Sequence, residues 1–198
     1  MLNVESNMLN FNSLAIFCGS NPGTDPAFAE QAIALADRMT EKEIDLVYGA
    51  GSVGLMGIIA DRMLENGRKV TGVIPQHLMD LEVGHTGITD LRVVKDMHER
   101  KMMMADLSDG FIAMPGGIGT LEEIIEVFTW NQLGIHAKPC AFLNVNGYYD
   151  KLFEFLKHAV NVKLLKREHL DSLLVAEDPA TLLAKMENSD GKYAAKWY

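Results

Sequence analysis

Short apolar runs alternate with longer amphipathic stretches along this chain. Leu14-Ala15-Ile16-Phe17-Cys18 reads as a buried strand that ends in Gly19-Ser20. From Pro26 to Glu41 the apolar positions Phe28, Ala32, Leu35, Ala36 and Met39 recur at helical spacing. Ile44 to Tyr48 predicts a second strand, Gly54 to Asn66 a helix stopped by Gly67, and Val70 to Ile74 a third strand closed by Pro75. Gln76 to Thr89 carries few regular signals and reads as a long connection. Beyond it the pattern predicts a strand at Leu91 to Val94, a helix at Asp96 to Leu107 and a strand at Gly110 to Met114. A helix from Thr120 to Leu133, a strand from Cys140 to Leu143, and helices from Tyr148 to Val160 and Asp178 to Glu187 complete the series.

Strands separated by helices of this length imply a parallel sheet with helices on both faces, a doubly wound α/β, Rossmann-like arrangement. The connections are too short for a second domain. Residues 13–187 read as one domain, with 1–12 an N-terminal extension and 188–198 a tail that is loose or engaged in contacts. Ligands of such sheets gather at the carboxyl ends of the strands. The glycine clusters that follow strands therefore mark the expected site: Gly19-Ser20, Gly49 to Gly54 with Gly51 and Ser52, and Gly116 to Gly119.

Charge narrows the partners. With 18 Lys+Arg against 27 Asp+Glu among 198 residues the net charge is −9, which argues against a nucleic-acid-coating protein. A few local donors can still hold a phosphate in an acidic protein. Cys18 and Cys140 sit beside apolar runs and read as small buried hydrophobes rather than a disulfide framework. No run approaches the ~18 apolar residues of a membrane span, and Met1 to Asn12 lack the features of a secretory signal. The default expectation is a cytoplasmic protein.

Gly49-Ala50-Gly51-Ser52-Val53-Gly54 has the three glycines of a dinucleotide fingerprint. The acid that should hold the ribose about 20 residues on is missing from Lys69 to Pro75, so these amides are read as lining a nucleotide site without a dinucleotide. Pro115-Gly116-Gly117-Ile118-Gly119-Thr120-Leu121-Glu122-Glu123 is the stronger signal. A buried strand enters, glycines let the backbone turn, and a helix leaves, so successive amides and the helix N-terminus can face one anion. No Lys-Ser/Thr pair follows, which removes support for a Walker-type NTPase. Thr120 and Glu123 also fit a capping box worth ~1 kcal/mol, and the residues leave capping and chemistry both open. Glu122 and Glu126 are like charges four apart, a cost unless a cation or ligand hydroxyls lie nearby. On the Asp96 helix, Arg100 and Lys101 border an apolar stripe and can reach toward a cleft. The six histidines are scattered without metal-ligand spacing, so no metal is expected. No nucleophile-elbow serine is present.

Together these residues resemble a known family. The Pro115–Glu123 segment matches the Pro-Gly-Gly-x-Gly-Thr-x-x-Glu signature of the LONELY GUY (LOG) family, and Met97-His98-Glu99-Arg100-Lys101 matches its Met-x-x-Arg-Lys segment. The likeness also takes in Phe17 to Ser20, Asp45 to Gly49, Gly54 to Gly57, Gly72 to Pro75 and Thr129 to His136, and runs from about Ser13 to Val160. Ala50 stands where a glycine is common and Ile118 where tyrosine is frequent. The resemblance implies a cytokinin riboside 5′-monophosphate phosphoribohydrolase, cleaving the N-glycosidic bond of plain or N6-modified AMP to free base and ribose 5-phosphate. Members are often labelled lysine decarboxylases, but no pyridoxal-binding signature is present and no cofactor is implied.

The same resemblance implies that Arg100 and Glu123 are catalytic and that Glu82, Lys101, Glu122 and Thr129 line the substrate. The phosphate is expected on the amides from Gly116 to Thr120, with Leu121 next in the turn. Arg100 is expected to hold Glu123 ionised by lowering its pKa. Glu123 then steadies the positive charge that develops on the ribose, or activates water. A homodimer is implied, with Phe128-Thr129-Trp130 and the Met102 to Met104 helix as its surface. The competing reading is a binding protein without turnover. Molybdenum cofactor carriers have a similar fold and glycine loops, but simple binding does not require both Arg100 and Glu123.

Overall fold

The computed structural model describes residues 8–80 and 84–189, so the candidate substrate contact Glu82 lies outside the described residues. Seven strands alternate with helices: β1 Ser13–Phe17, α1 Pro26–Glu41, β2 Asp45–Tyr48, α2 Gly54–Glu65, β3 Val70–Pro75, α3 Gln76–Met79, β4 Asp90–Val94 and α4 Met97–Asp106. Then follow β5 Phe111–Ala113, α5 Ile118–Gln132, β6 Cys140–Leu143, α6 Asp150–Asn161, α7 Arg167–Asp171, β7 Leu174–Ala176 and α8 Pro179–Glu187. All strand pairs are parallel, in the order β4-β3-β2-β1-β5-β6-β7. The order reverses between β1 and β5, and the crevice there is where such sheets bind ligands.

Strand alternation divides the core in two. Leu14 and Ile16 of β1 pack under α1, α2 and α8, and Ala15 and Phe17 pack under α4 and α5. Both faces of the sheet are thus covered, as the short, almost wholly apolar strands require. Asp25 caps α1 by accepting from the Ala27 N–H at 2.9 Å, with Pro26 at the first helical position. Asp96 caps α4 through the His98 and Glu99 amides. Ala50 holds φ 60°, a left-handed conformation that glycine adopts with less strain.

Three elements go beyond those read from the sequence. The one-turn α3 opens the stretch read as a connection, and α7 and β7 follow Val160, where no element was expected. α7 is a five-residue helix, too short to define a period, whereas β7 is a three-residue edge strand signalled only by the apolar run Leu173 to Ala176. Residues ahead of β1 join the body: Phe11 is buried and the Leu9 amide donates to the Glu187 carbonyl at 2.8 Å. No helix among the described residues is long and apolar enough to cross a membrane. Both cysteines are free and buried.

Candidate active site

The loops after β1 and β5 meet at the reversal point. The Gly19 amide donates to the Pro115 carbonyl at 3.0 Å, and the Tyr149 hydroxyl donates to the Met114 carbonyl at 2.6 Å. A Cβ on Gly116 would lie 2.2 Å from Thr120 Oγ1 and 2.9 Å from the Gly19 nitrogen, so this glycine is demanded by the close approach of two loops. Gly117 and Gly119 differ: a Cβ on either would meet nothing within 4 Å. Packing does not explain a glycine inside α5, where it costs roughly 1 kcal/mol relative to alanine. Open space above bare backbone is what a ligand lying on the amides needs. The first amides of α5 have no intrahelical acceptor, and no side chain caps them.

This bears on the capping box. Gly117 occupies the N-cap position, so Thr120 lies inside the first turn and buries its hydroxyl against Gly116. Glu123 is turned to another partner. Its Oε1 accepts from Arg100 Nη2 at 3.1 Å, and the two side chains are only 12% and 10% exposed. Asp96 and its first-turn Glu99 come close to a capping box at α4, with Glu99 accepting from the amide of Lys95, one residue before the cap, at 2.8 Å.

Cys18, Gly19, Ser20, Met56, Met97, Arg100, Gly117, Ile118, Gly119, Thr120, Glu122 and Glu123 surround an open cleft of about 360 Å³. Arg100 lies against the backbone of Gly49, where a Cβ would sit 2.1 Å from Nη2. Its Nε is buried without an acceptor among the described residues. Ile118 is 82% exposed at the rim, and Met56 and Met97 supply apolar lining. A second cavity of about 260 Å³ shares Gly19, Ser20 and Gly117 and continues along Asn21, Phe28, Leu55 and Tyr148.

Electrostatics here correct one expectation. Burial is the largest influence on Glu123 and pushes its pKa up; the Arg100 charge opposes it without prevailing, and Glu122 adds to the rise. The lowered pKa expected from an arginine neighbour is therefore overturned, because removing a carboxylate from water outweighs one cation at 3.1 Å. Cys18 borders the same cleft, and burial followed by the Glu123 charge pushes its thiol far up. It is inert as a nucleophile.

Lys101 answers the question left by Glu122 and Glu126. Its ammonium lies 2.6 Å from Glu122 Oε1 and 2.8 Å from Glu126 Oε2, so a protein cation, rather than ligand hydroxyls, resolves the like-charge pair. Burial pulls the Lys101 pKa down, and the hydrogen bonds and charges of Glu122 and Glu126 together carry it up. Lys101 does not border the cleft. Thr129 also lies apart, its hydroxyl donating to the Ile125 carbonyl at 2.7 Å, and half-buried Leu121 packs into the core under α5. Gly51 and Ser52 border neither cavity: Gly51 makes room for the Met56 side chain and bridges Gly84. The Gly49 to Gly54 cluster is thus explained by close packing, with Gly54 at φ 64° against the Ser20–Asn21 backbone. Reading the sequence missed Met56, Phe28 and Tyr148, which lie far from the glycine motif in the chain. Only proximity in the fold reveals them.

The model of a family described as "possible lysine decarboxylase" matches residues 56–186. The cytokinin riboside 5′-monophosphate phosphoribohydrolase LOG7 of Arabidopsis thaliana is 43% identical over 190 residues, covering 96% of this chain and 88% of the relative. The probable cytokinin riboside 5′-monophosphate phosphoribohydrolase LOGL1 of Oryza sativa subsp. japonica is 45% identical over 177 residues, covering 89% and 79%. Among solved structures, the molybdenum cofactor binding protein of Rippkaea orientalis superposes with a TM-score of 0.66 at 18% identity, over 87% of this chain and 93% of that one. That likeness establishes the Rossmann-like fold. The sequence identity, at 43–45% over most of the chain, goes further, and the chain belongs to the LONELY GUY (LOG) family.

Proposed function

We propose that this protein hydrolyses the N-glycosidic bond of adenosine 5′-monophosphate or an N6-modified, cytokinin-type riboside 5′-monophosphate, releasing the base and ribose 5-phosphate. The observation that carries this reading is the buried Arg100–Glu123 pair opening onto the same cleft as the bare N-terminus of α5. The phosphate is bound by the amides from Gly117 to Thr120 and by the positive end of the helix. Holding this distant anion supplies binding energy to orient the ribose. Departure of the base leaves positive charge on the sugar, and the Glu123 carboxylate steadies it. A glutamate whose pKa is raised by burial is also a stronger base, better matched to taking a proton from the attacking water near neutral pH. Arg100 orients Glu123, and its guanidinium borders the cleft as a positive charge for the substrate. Met56, Met97 and Ile118 give the cleft an apolar side suited to an N6-isoprenoid base.

The relatives' names support this chemistry for the family. Decarboxylation of lysine through a Schiff base would need an amine of lowered pKa. Lys101, the lysine next in sequence to the cleft residue Arg100, does not line the cleft, and two carboxylates drive its pKa the opposite way. A carrier without turnover has no use for a buried acid whose ionisation is disfavoured. Assembly as a homodimer is part of the proposal, the half-buried Trp130 and exposed Met102 lying on the helices that would meet. Incubating the purified protein with AMP and isopentenyladenosine monophosphate should release free base from at least one. Release from neither, with Glu123→Ala indistinguishable from the parent, would overturn the assignment.

A further inference from the structure

Four consecutive carbonyls, from Met114 to Gly117, are each held by a specific donor. Tyr149 Oη binds the Met114 carbonyl at 2.6 Å, and the Gly19 amide binds that of Pro115 at 3.0 Å. Tyr148 Oη binds the Gly116 carbonyl at 2.7 Å, and the Leu121 amide binds that of Gly117 at 3.2 Å. A trans peptide is planar, and its carbonyl and N–H point in opposite directions; no cis bond interrupts the described chain. Fixing each carbonyl therefore fixes where the next amide points. Three of these donors belong to the body of the fold: a buried tyrosine, the β1 loop and α5 itself. The fourth, Tyr148, is 45% exposed and stands on the wall of the second cavity, its ring edge-on to Phe28 with centroids 5.4 Å apart.

We propose that Tyr148 is a positioning residue for the phosphate end of the substrate. By holding the Gly116 carbonyl it turns the Gly117 N–H away from itself, toward the side of the loop that borders the Arg100–Glu123 cleft. That N–H has no protein acceptor among the described residues. Gly116 and Gly117 are adjacent glycines, the pair of residues least able to hold their own peptide plane. Without the hydroxyl the plane could rotate and withdraw a donor from the anion. The ligand class that this clamp serves is a terminal phosphate monoester. The cavity beyond it is lined by Asn21, Pro22, Phe28, Leu55 and Tyr148 and by no Lys, Arg or His, so it offers no counter-charge to a second phosphate. The inference rests on the proposed function only for the identity of the anion.

The test is equilibrium titration, on a Glu123→Gln background that suppresses turnover, of AMP, ribose 5-phosphate, ADP and adenosine. Tyr148→Phe keeps the ring and removes the hydroxyl. It should weaken AMP and ribose 5-phosphate about tenfold, the order expected for a lost hydrogen bond that orients a charged contact. Adenosine binding should stay within twofold. Phe28→Leu, which disturbs the ring contact and leaves the hydroxyl, should keep phosphate affinity within twofold to threefold. ADP should bind more weakly than AMP to the parent. Unchanged AMP and ribose 5-phosphate binding by Tyr148→Phe, or an equal loss for adenosine, overturns the clamp. A Phe28→Leu loss as large as that of Tyr148→Phe also overturns it, because ring packing would then carry the effect. Binding is read without turnover, so a protein that hydrolyses nothing yet loses phosphate affinity on Tyr148→Phe sinks the hydrolase reading and keeps the clamp. A protein that hydrolyses AMP and is indifferent to Tyr148→Phe does the reverse.

Discussion

Arg100 meets Glu123 and Lys101 meets Glu122 across the same two helices, one residue apart on each. Lys101 is saturated: two carboxylates lie within 2.8 Å, one of them half-exposed, and together they raise its pKa. Arg100 has a single carboxylate at 3.1 Å, a buried Nε without an acceptor, and a partner whose ionisation burial disfavours. Successive residues on a helix point about 100° apart. That rotation brings Arg100 and Glu123 to the cleft and turns Lys101 away from it, while half-exposed Glu122 lies at the cleft rim and reaches back to Lys101. The first contact borders the cleft and is the proposed site of chemistry. The second is a structural bridge.

The comparison is broken most severely by Glu123→Gln, which keeps the shape and an acceptor for Arg100 but removes the charge. Release of free base should fall by about two orders of magnitude or more, while the melting temperature stays within a few degrees. A rate within tenfold of the parent would place Glu123 outside the chemistry. Next in size is Lys101→Met, which strands Glu122 and Glu126 together. Because Glu122 is half-exposed, the expected loss is about 1–2 kcal/mol rather than the larger cost of a fully buried pair. A domain of this size should then melt several degrees lower. Hydrolysis at 25 °C should fall far less than in Glu123→Gln.

The acid limb of kcat/KM offers a third test. If ionised Glu123 is required, activity is lost as pH falls through its pKa, and that limb should lie above the ordinary glutamate value of about 4.5. Lys101 helps to hold that pKa down, so Lys101→Met should move the limb higher still. Linkage gives an independent sign. A carboxylate that binds its proton more tightly folded than unfolded loses the protein stability as pH rises from the unfolded value through the folded one, and Glu123→Gln should flatten that slope. Lys101, raised above 10.5 in the fold, contributes stability below its unfolded pKa that is lost only as pH rises through its folded value. The smallest effect belongs to Glu126→Gln. Lys101 retains Glu122 and the glutamine keeps an acceptor toward it, so activity should stay within twofold and the stability lost at this largely buried pair should be about 1 kcal/mol or less.

Much of the fold was legible because its elements obey their own periods. The helix over Pro26–Glu41 and the strand over Cys140–Leu143 coincide with the pattern residue for residue, and most other boundaries fall within two residues. α7 was not legible, since five residues do not define a helical period, while β7 was announced only by the apolar run Leu173 to Ala176, with no helical pattern before it to mark an alternation. At the site, the turn from Pro115 to Thr120 announced itself by composition. The glycines at 49–54 announced themselves equally loudly and proved to serve packing, Gly49 by seating Arg100 and Gly54 by its positive φ against the β1 loop.

Left to itself, the chain's pattern of apolar spacing and glycine placement determined an alternating α/β domain with a glycine-rich turn into a helix at a strand end. Those properties depend on neighbours three or four residues away, where sequence and geometry are nearly the same thing. Only tertiary structure decided that Arg100 reaches Glu123 while Lys101 bridges Glu122 and Glu126, that Tyr148 holds the Gly116 carbonyl 32 residues upstream, and that Glu123 keeps its proton more tightly than its arginine neighbour suggested. Ion pairing, peptide orientation and proton affinity are set by distance and by exclusion of water, and both are sums over everything the fold brings close.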